Sequence, residues 1–122
     1  MIYITKDIIN EFEKLDWKFI EDEFTKQGRY HFQRYREFHF GKETLVNLDY
    51  VLIFNYNNQP VTMQTCRMCG EKKDIEQYVN ETVYGYYETE GNVTLTTEEL
   101  QLFLEFMLFL EKERENEEGE LI

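Results

Sequence analysis

The sequence predicts an α+β fold, in which an antiparallel or mixed sheet of about five strands packs against an N-terminal and a C-terminal helix. The middle of the chain holds runs of aromatic and β-branched residues separated by turn residues, and both ends have helical periodicity. The 122 residues are 42% hydrophobic and 16% aromatic, which suffices for one hydrophobic core. We therefore expect a single globular domain over residues 1–122.

The N-terminal segment predicts a short amphipathic helix followed by a β-hairpin. Thr5 is placed as the helix N-cap, and Ile4 and Ile9 are spaced as a hydrophobic staple around it. Residues 17–24 alternate as a strand does, "TKQGR" supplies a turn, and the aromatic-rich residues 30–40 form the returning strand.

Two more hairpins are predicted in the middle of the chain. The clearest strand is "LDYVLIFNY", residues 48–56, which the turn "NNQP" ends before a return strand at residues 61–66. Further on, "TVYGYYE" and "NVTL" flank the turn "TEGN" and predict a hairpin that precedes the last helix.

The C-terminal helix has the best-marked start. Thr96 is the predicted N-cap, and Glu99 three residues later completes a capping box. We expect Phe103, Leu104 and Met107 to share the core face of this helix. The acidic tail, residues 111–122, is expected to be solvated and frayed.

The apolar residues of this helix cover more than one face. Between residues 100 and 110 only Gln101 and Glu105 are polar. Such a helix is buried on several sides, either because a sheet wraps around it or because part of it meets a second subunit. A homodimer is therefore one expectation of the sequence.

The net charge of −12 limits the kinds of molecule that the protein can bind. Free nucleic acid and anionic membranes would be repelled by most of the surface, so basic proteins are the more natural partners. No secretory signal or membrane-spanning stretch is recognisable, and the expected location is the cytoplasm.

One basic segment, residues 29–42, interrupts this pattern. It holds three arginines and a lysine among aromatic residues, which is typical of a base-stacking surface. The alternative is a sheet strand whose arginines pair with the acids of "IEDEF" across the first hairpin. The negative surroundings favour the second interpretation.

The chain's two cysteines, Cys66 and Cys69, have the CxxC spacing of metal ligands, and Gly70 follows them with the freedom to adopt a positive φ. The stretch "CRMCGEKKDIEQY" resembles the first half of the knuckles in treble-clef nucleases and zinc ribbons. The second half of the ligand set is absent, so zinc would need a second chain. Ordinary packing of both cysteines and, more remotely, a redox pair are the alternatives.

No enzyme is predicted, because GxSxG, HExxH and glycine-rich phosphate loops are all absent from the sequence. In size, acidity and aromatic content the chain resembles phage-encoded anti-CRISPR proteins and toxin-immunity proteins, which would place it in a host cytoplasm. This resemblance implies an inhibitor that blocks the nucleic-acid groove of a basic protein, for instance by mimicking nucleic acid. A zinc-knuckle regulator or adaptor and a self-associating interaction protein are the alternatives. The residues expected to contact the partner are Glu21, Asp22, Glu23, Tyr84, Tyr86 and Tyr87.

Overall fold

Four antiparallel strands form the centre of the computed structural model, which describes residues 2–81 and 93–120. The strands follow one another in sheet order β1-β2-β3-β4, so each pairs with its neighbour in the chain. The predicted α+β class is confirmed, with four strands in the described part of the chain. The elements are α1 (Lys6–Glu13), β1 (Lys18–Ile20), a 3₁₀ turn (Thr25–Gln27), β2 (Arg29–Phe40), β3 (Glu43–Phe54), β4 (Thr62–Glu71), α2 (Lys72–Glu81) and α3 (Thr97–Glu120).

The two faces of this sheet are covered by different helices. On the first, which we call the front face, Phe32 of β2 pairs with Val51 of β3, and both pack in one core with residues of α1 and α3. On the opposite back face, Leu48 pairs with Met68 and both pack against Ile75 of α2. The side chains alternate between the faces because strands have a period of two residues.

The front core is built mainly from aromatic rings. The centroids of Phe12 and Phe32 lie 4.3 Å apart, and Phe103 of α3 meets Phe32 edge-on at 5.4 Å. Trp17 also contacts Phe103 edge-on, at 5.4 Å. Such tilted and edge-to-face contacts are the arrangements that aromatic pairs prefer, and they fix α1 and α3 on the sheet.

Both predicted helix starts are confirmed. The Thr5 hydroxyl accepts a hydrogen bond from Ile8 N at the start of α1. At α3, Glu99 N donates to the Thr96 hydroxyl and Thr96 N donates to the Glu99 carboxylate, each at 3.1 Å. This reciprocal pair is the capping box that the spacing predicted.

The prediction that Leu104 belongs to the core is wrong, whereas Phe103 is fully buried. Leu104 is 55% exposed on the outer side of α3, and Met107 is half-buried. Apolar residues occupy almost every position between residues 100 and 110. The sequence therefore did not distinguish the side of α3 that faces the sheet from the side that faces outward.

Strand lengths also differ from the prediction. β1 ends at Ile20 because Asp22 folds the next residues into a turn, in which its carboxylate accepts a hydrogen bond from Phe24 N. β3 begins at Glu43, five residues before the predicted start, and β4 continues to Glu71 instead of stopping at residue 66. Helix α2 was not predicted at all.

The last predicted hairpin falls largely on residues 82–92, which lie outside the described residues. The prediction of a frayed tail at residues 111–122 concerns dynamics and stays a prediction, although α3 extends to Glu120. In the described part of the chain, no helix combines the length and apolar character that crossing a membrane requires.

Candidate functional site

The predicted acidic contact, Glu21 to Glu23, divides into two roles. Glu21 and Glu23 are exposed, as a contact surface requires. Asp22 instead holds the fold together, because its carboxylate pairs with Arg29 Nη2 at 2.9 Å and caps the following turn. The predicted anchors Tyr84, Tyr86 and Tyr87 lie outside the described residues.

Cys66 and Cys69 both lie within β4, where side chains three positions apart point to opposite faces. Cys66 is buried on the back face, and this burial raises the pKa of its thiol. Cys69 is exposed on the front face, where its thiol donates to Asn47 Oδ1 at 2.7 Å. The structure does not bring the two thiols together.

The knuckle turn expected at Gly70 is not formed either, because Gly70 continues β4 and has no positive φ. Among residues 2–81 and 93–120 the structure contains no cluster of three or more His, Cys, Asp or Glu side chains suited to a metal ion. Zinc binding through the two cysteines stays a prediction, and it would require β4 to change its conformation.

A buried group of charges lies where α3 begins on the front face. Arg34 is 4% exposed and binds Asp49 Oδ2 at 3.0 Å and Glu99 Oε2 at 2.5 Å. Arg67 binds the other oxygen of Asp49 at 2.7 Å. The strand register brings these three side chains together, since Asp49 of β3 is opposite Arg34 of β2 on one side and opposite Arg67 of β4 on the other.

Glu99 connects this charge group to the start of α3. Its carboxylate also accepts hydrogen bonds from Trp17 Nε1 and from Thr96 N. Burial by itself raises the pKa of Glu99, but the hydrogen bonds from Thr96 and Trp17 and the charge of Arg34 together lower it below its ordinary value. The ionised form is therefore the one that the fold stabilises.

The basic segment at residues 29–42 consequently has few free cations. Arg29 pairs with Asp22, so the predicted pairing with "IEDEF" is confirmed for this one arginine. Arg34 pairs with Asp49 and Glu99 instead, which lie on elements that the hairpin prediction did not include. Arg36 and Lys42 are exposed. A base-stacking surface here would have lost two of its four cations.

These internal pairs determine where the protein's charge appears. They join three arginines to three carboxylates, so their charges cancel and the net −12 belongs to all the other residues. Both partners of each pair are buried or half-buried. The acidic excess is thus carried by residues outside the internal pairs, and a net charge of this sign attracts basic partners.

An acidic groove of 280 Å³ runs between α1 and α3, and we call it the α1–α3 groove. Glu11 in its wall is already paired with Lys14 at 2.8 Å. Glu98 and Glu105 are exposed and have no ion pair with any described residue. The lining residues are Glu11, Lys14, Leu15, Glu98, Gln101, Leu102 and Glu105.

The shape of the α1–α3 groove suits a long basic side chain. Leu15 and Leu102 are half-buried and offer apolar surface for methylene groups, while the exposed Glu98 and Glu105 offer negative charge. Sequence reasoning missed these two glutamates. Their spacing of seven residues places them on one side of α3, two turns apart, which is the signal that could have found them.

Comparison with known proteins found no match: no family model, no curated protein and no solved structure matches the chain.

Proposed function

We propose that this protein is a small non-enzymatic inhibitor that binds a basic nucleic-acid-processing protein, such as a nuclease or a CRISPR effector, and blocks its nucleic-acid groove. The observation that carries the proposal is the cancellation of three arginines by three carboxylates inside the fold, which leaves the whole net charge of −12 to the remaining residues. An acidic excess of this size attracts a groove that normally holds phosphates.

Two acidic regions would make this contact. Glu98 and Glu105 in the α1–α3 groove can receive lysine or arginine side chains of the partner. Glu21 and Glu23 extend the acidic surface and would steer the encounter. Tyr84, Tyr86 and Tyr87 remain the proposed anchors, because tyrosines buried in an interface commonly contribute much of the binding energy and so slow dissociation.

The proposal is tested by competition for bound nucleic acid. Purified nucleases and CRISPR effectors are loaded with a fluorescent oligonucleotide, and its anisotropy is followed as this protein is added. We expect release from at least one enzyme, weakening steeply as salt is added because the attraction is between charges. If every enzyme keeps its oligonucleotide at saturating inhibitor, or if release is unaffected by salt, the proposed mimicry is wrong.

Matched variants then locate the contact on the responding enzyme. The double variant Glu98→Gln/Glu105→Gln should weaken competition, whereas Asp74→Asn/Glu76→Gln, which removes the same charge from α2 on the back face, should leave it nearly unchanged. Equal weakening by both pairs would show that only net charge matters and that the groove is not the contact.

Kinetics separate steering from anchoring. Glu21→Lys/Glu23→Lys should mainly slow association, while Tyr84→Ala or Tyr86→Ala should mainly speed dissociation. Asp22 is left unchanged in the charge reversal, because its loss would disturb the turn and the Arg29 pair.

A further inference from the structure

Helix α3 exposes three leucines in one line along its outer side. Leu100 is 49% exposed, and Leu104 and Leu108 are each 55% exposed. Residues four apart lie above one another on a helix, so the three form a continuous apolar stripe about 12 Å long. We call it the leucine stripe. Single exposed leucines are common, but a contiguous apolar line indicates a surface that is covered in use.

We propose that the leucine stripe packs against the same stripe of a second copy of this chain, with the two α3 helices antiparallel. A two-fold axis beside Leu104 would place Leu104 against its own copy, and Leu100 against Leu108 of the second copy. The stripe is thereby complementary to itself, and each leucine meets another leucine.

The charges on α3 select the antiparallel direction. Residues 111–120 hold six glutamates against one lysine and one arginine. A parallel pair would bring these two acidic ends together, whereas an antiparallel pair places them at opposite ends of the contact. The antiparallel pair also brings Lys112, which is exposed, within about one helical turn of Glu98 of the second copy.

The stripe and the α1–α3 groove lie on adjacent sides of α3. The groove is lined by Glu98, Gln101 and Glu105, none of which belongs to the stripe. Pairing through the leucines would leave Glu105 of each groove free, whereas Lys112 of the second copy would approach Glu98. The two proposals rest on different residues, the leucines for the dimer and the glutamates for the inhibition, so either can be wrong without the other.

The first test is the mass of the protein in solution. Because the stripe is short, the dimer is expected to be weak, and sedimentation or light scattering should show the average mass rising with concentration from 15.0 kDa towards twice that value. Leu104→Glu should keep the mass at that of one chain. Gln64→Glu, which adds the same charge on β4 away from the stripe, should behave as the wild type does.

A wild-type mass that stays at 15.0 kDa at every concentration would overturn the proposal. A dimer that persists in Leu104→Glu would overturn it equally, since the contact would lie elsewhere. Far-ultraviolet circular dichroism of the variant checks that α3 is still folded, because Leu104 contributes little to the core.

The second test determines the direction of the helices. Leu100→Cys and Leu108→Cys are made separately in a Cys69→Ser chain, with one of the two carrying a size tag, and are treated with a short thiol cross-linker. Antiparallel pairing predicts that the mixture cross-links one variant to the other. Cross-linking of each variant only to itself would mean parallel helices, and the absence of any cross-linked species would also overturn the proposal.

Discussion

The two halves of β2 carry the same kinds of side chain and lie in opposite environments. The first half contains His31, Phe32 and Arg34, each less than 5% exposed. The second half repeats these types as Arg36, Phe38, His39 and Phe40, all exposed. Alternation along the strand decides which face a side chain takes, but burial depends on what packs over that part of the sheet.

The buried half of β2 is therefore expected to contribute to the stability of the fold. Equivalent substitutions in the exposed half serve as controls. His31, Phe32 and Arg34 each have an exposed counterpart of the same type on the same strand and on the same face. Variants made in such pairs isolate the effect of burial from the effect of residue type.

The largest difference is expected between Arg34 and Arg36. Arg34→Ala removes the cation shared by Asp49 and Glu99 and leaves Glu99 buried without its arginine, so unfolding should cost about 4–5 kcal/mol less. Arg36→Ala should change stability by less than about 0.5 kcal/mol. Urea denaturation at neutral pH measures both, and similar losses would mean that the buried pairs contribute nothing particular.

The next largest difference is between Phe32 and Phe40. Phe32 is fully buried and contacts four aromatic rings, so Phe32→Ala should destabilise the fold by about 3–5 kcal/mol. Phe40 is 75% exposed, and Phe40→Ala should cost less than about 0.5 kcal/mol. A large loss at Phe40 in thermal or urea denaturation would show that the exposed half of β2 is covered in solution.

His31 makes the comparison dependent on pH. Burial, helped by the charge of Arg29 and partly opposed by Asp22, lowers the pKa of His31 from 6.5 to about 4. The unfolded chain therefore binds the proton first, and stability falls as pH decreases from 6.5 towards 4, by about 1.4 kcal/mol per pH unit and about 3 kcal/mol in all.

Denaturation at pH 7 and pH 5 measures this slope, because the pKa of Glu99 lies below its ordinary 4.5 and its ion pair persists there. His31→Gln should flatten the slope between the two values, and His39→Gln, on the exposed half, should retain it. A slope that survives in His31→Gln would assign it to other groups.

On α3, Phe103 and Leu104 repeat the contrast between a buried residue and an exposed neighbour, and Leu104→Ala is among the changes expected to have the smallest effect. Leu104→Ala should change the stability of the single chain by less than about 0.5 kcal/mol, because the side chain is more than half exposed. Phe103→Ala, in the core, should cost about 3–5 kcal/mol. Measurements at low concentration avoid any contribution from self-association, and a loss of several kcal/mol at Leu104 would contradict its position.

Local signals predicted the fold class and both helix starts. Thr5, Thr96 and Glu99 act through neighbours within four residues, so their roles can be read from spacing. The aromatic-rich residues 30–40 were likewise predicted to form a strand, which the structure contains as β2. These features depend on covalent sequence and geometry over short distances.

Contacts between residues far apart in the sequence could not be predicted in this way. Glu99 was identified as a helix cap, but its contacts with Trp17 and Arg34 cross 82 and 65 residues of chain. Asp22 was assigned to a partner surface because the sequence shows its charge and not its pairing with Arg29. Glu98 and Glu105 line a groove only because α1 packs beside α3.

The position of Trp17 gives this chain a built-in optical reporter. It is the only tryptophan, its ring is fully buried, and the Arg34 guanidinium lies 4.4 Å from the ring centroid. Its indole N–H donates to the same Glu99 carboxylate that caps α3. Its fluorescence emission should therefore lie towards the blue in the native protein and shift to the red when α3 leaves the sheet. Comparison with circular dichroism would reveal whether the docking of this helix and the loss of secondary structure occur in one transition.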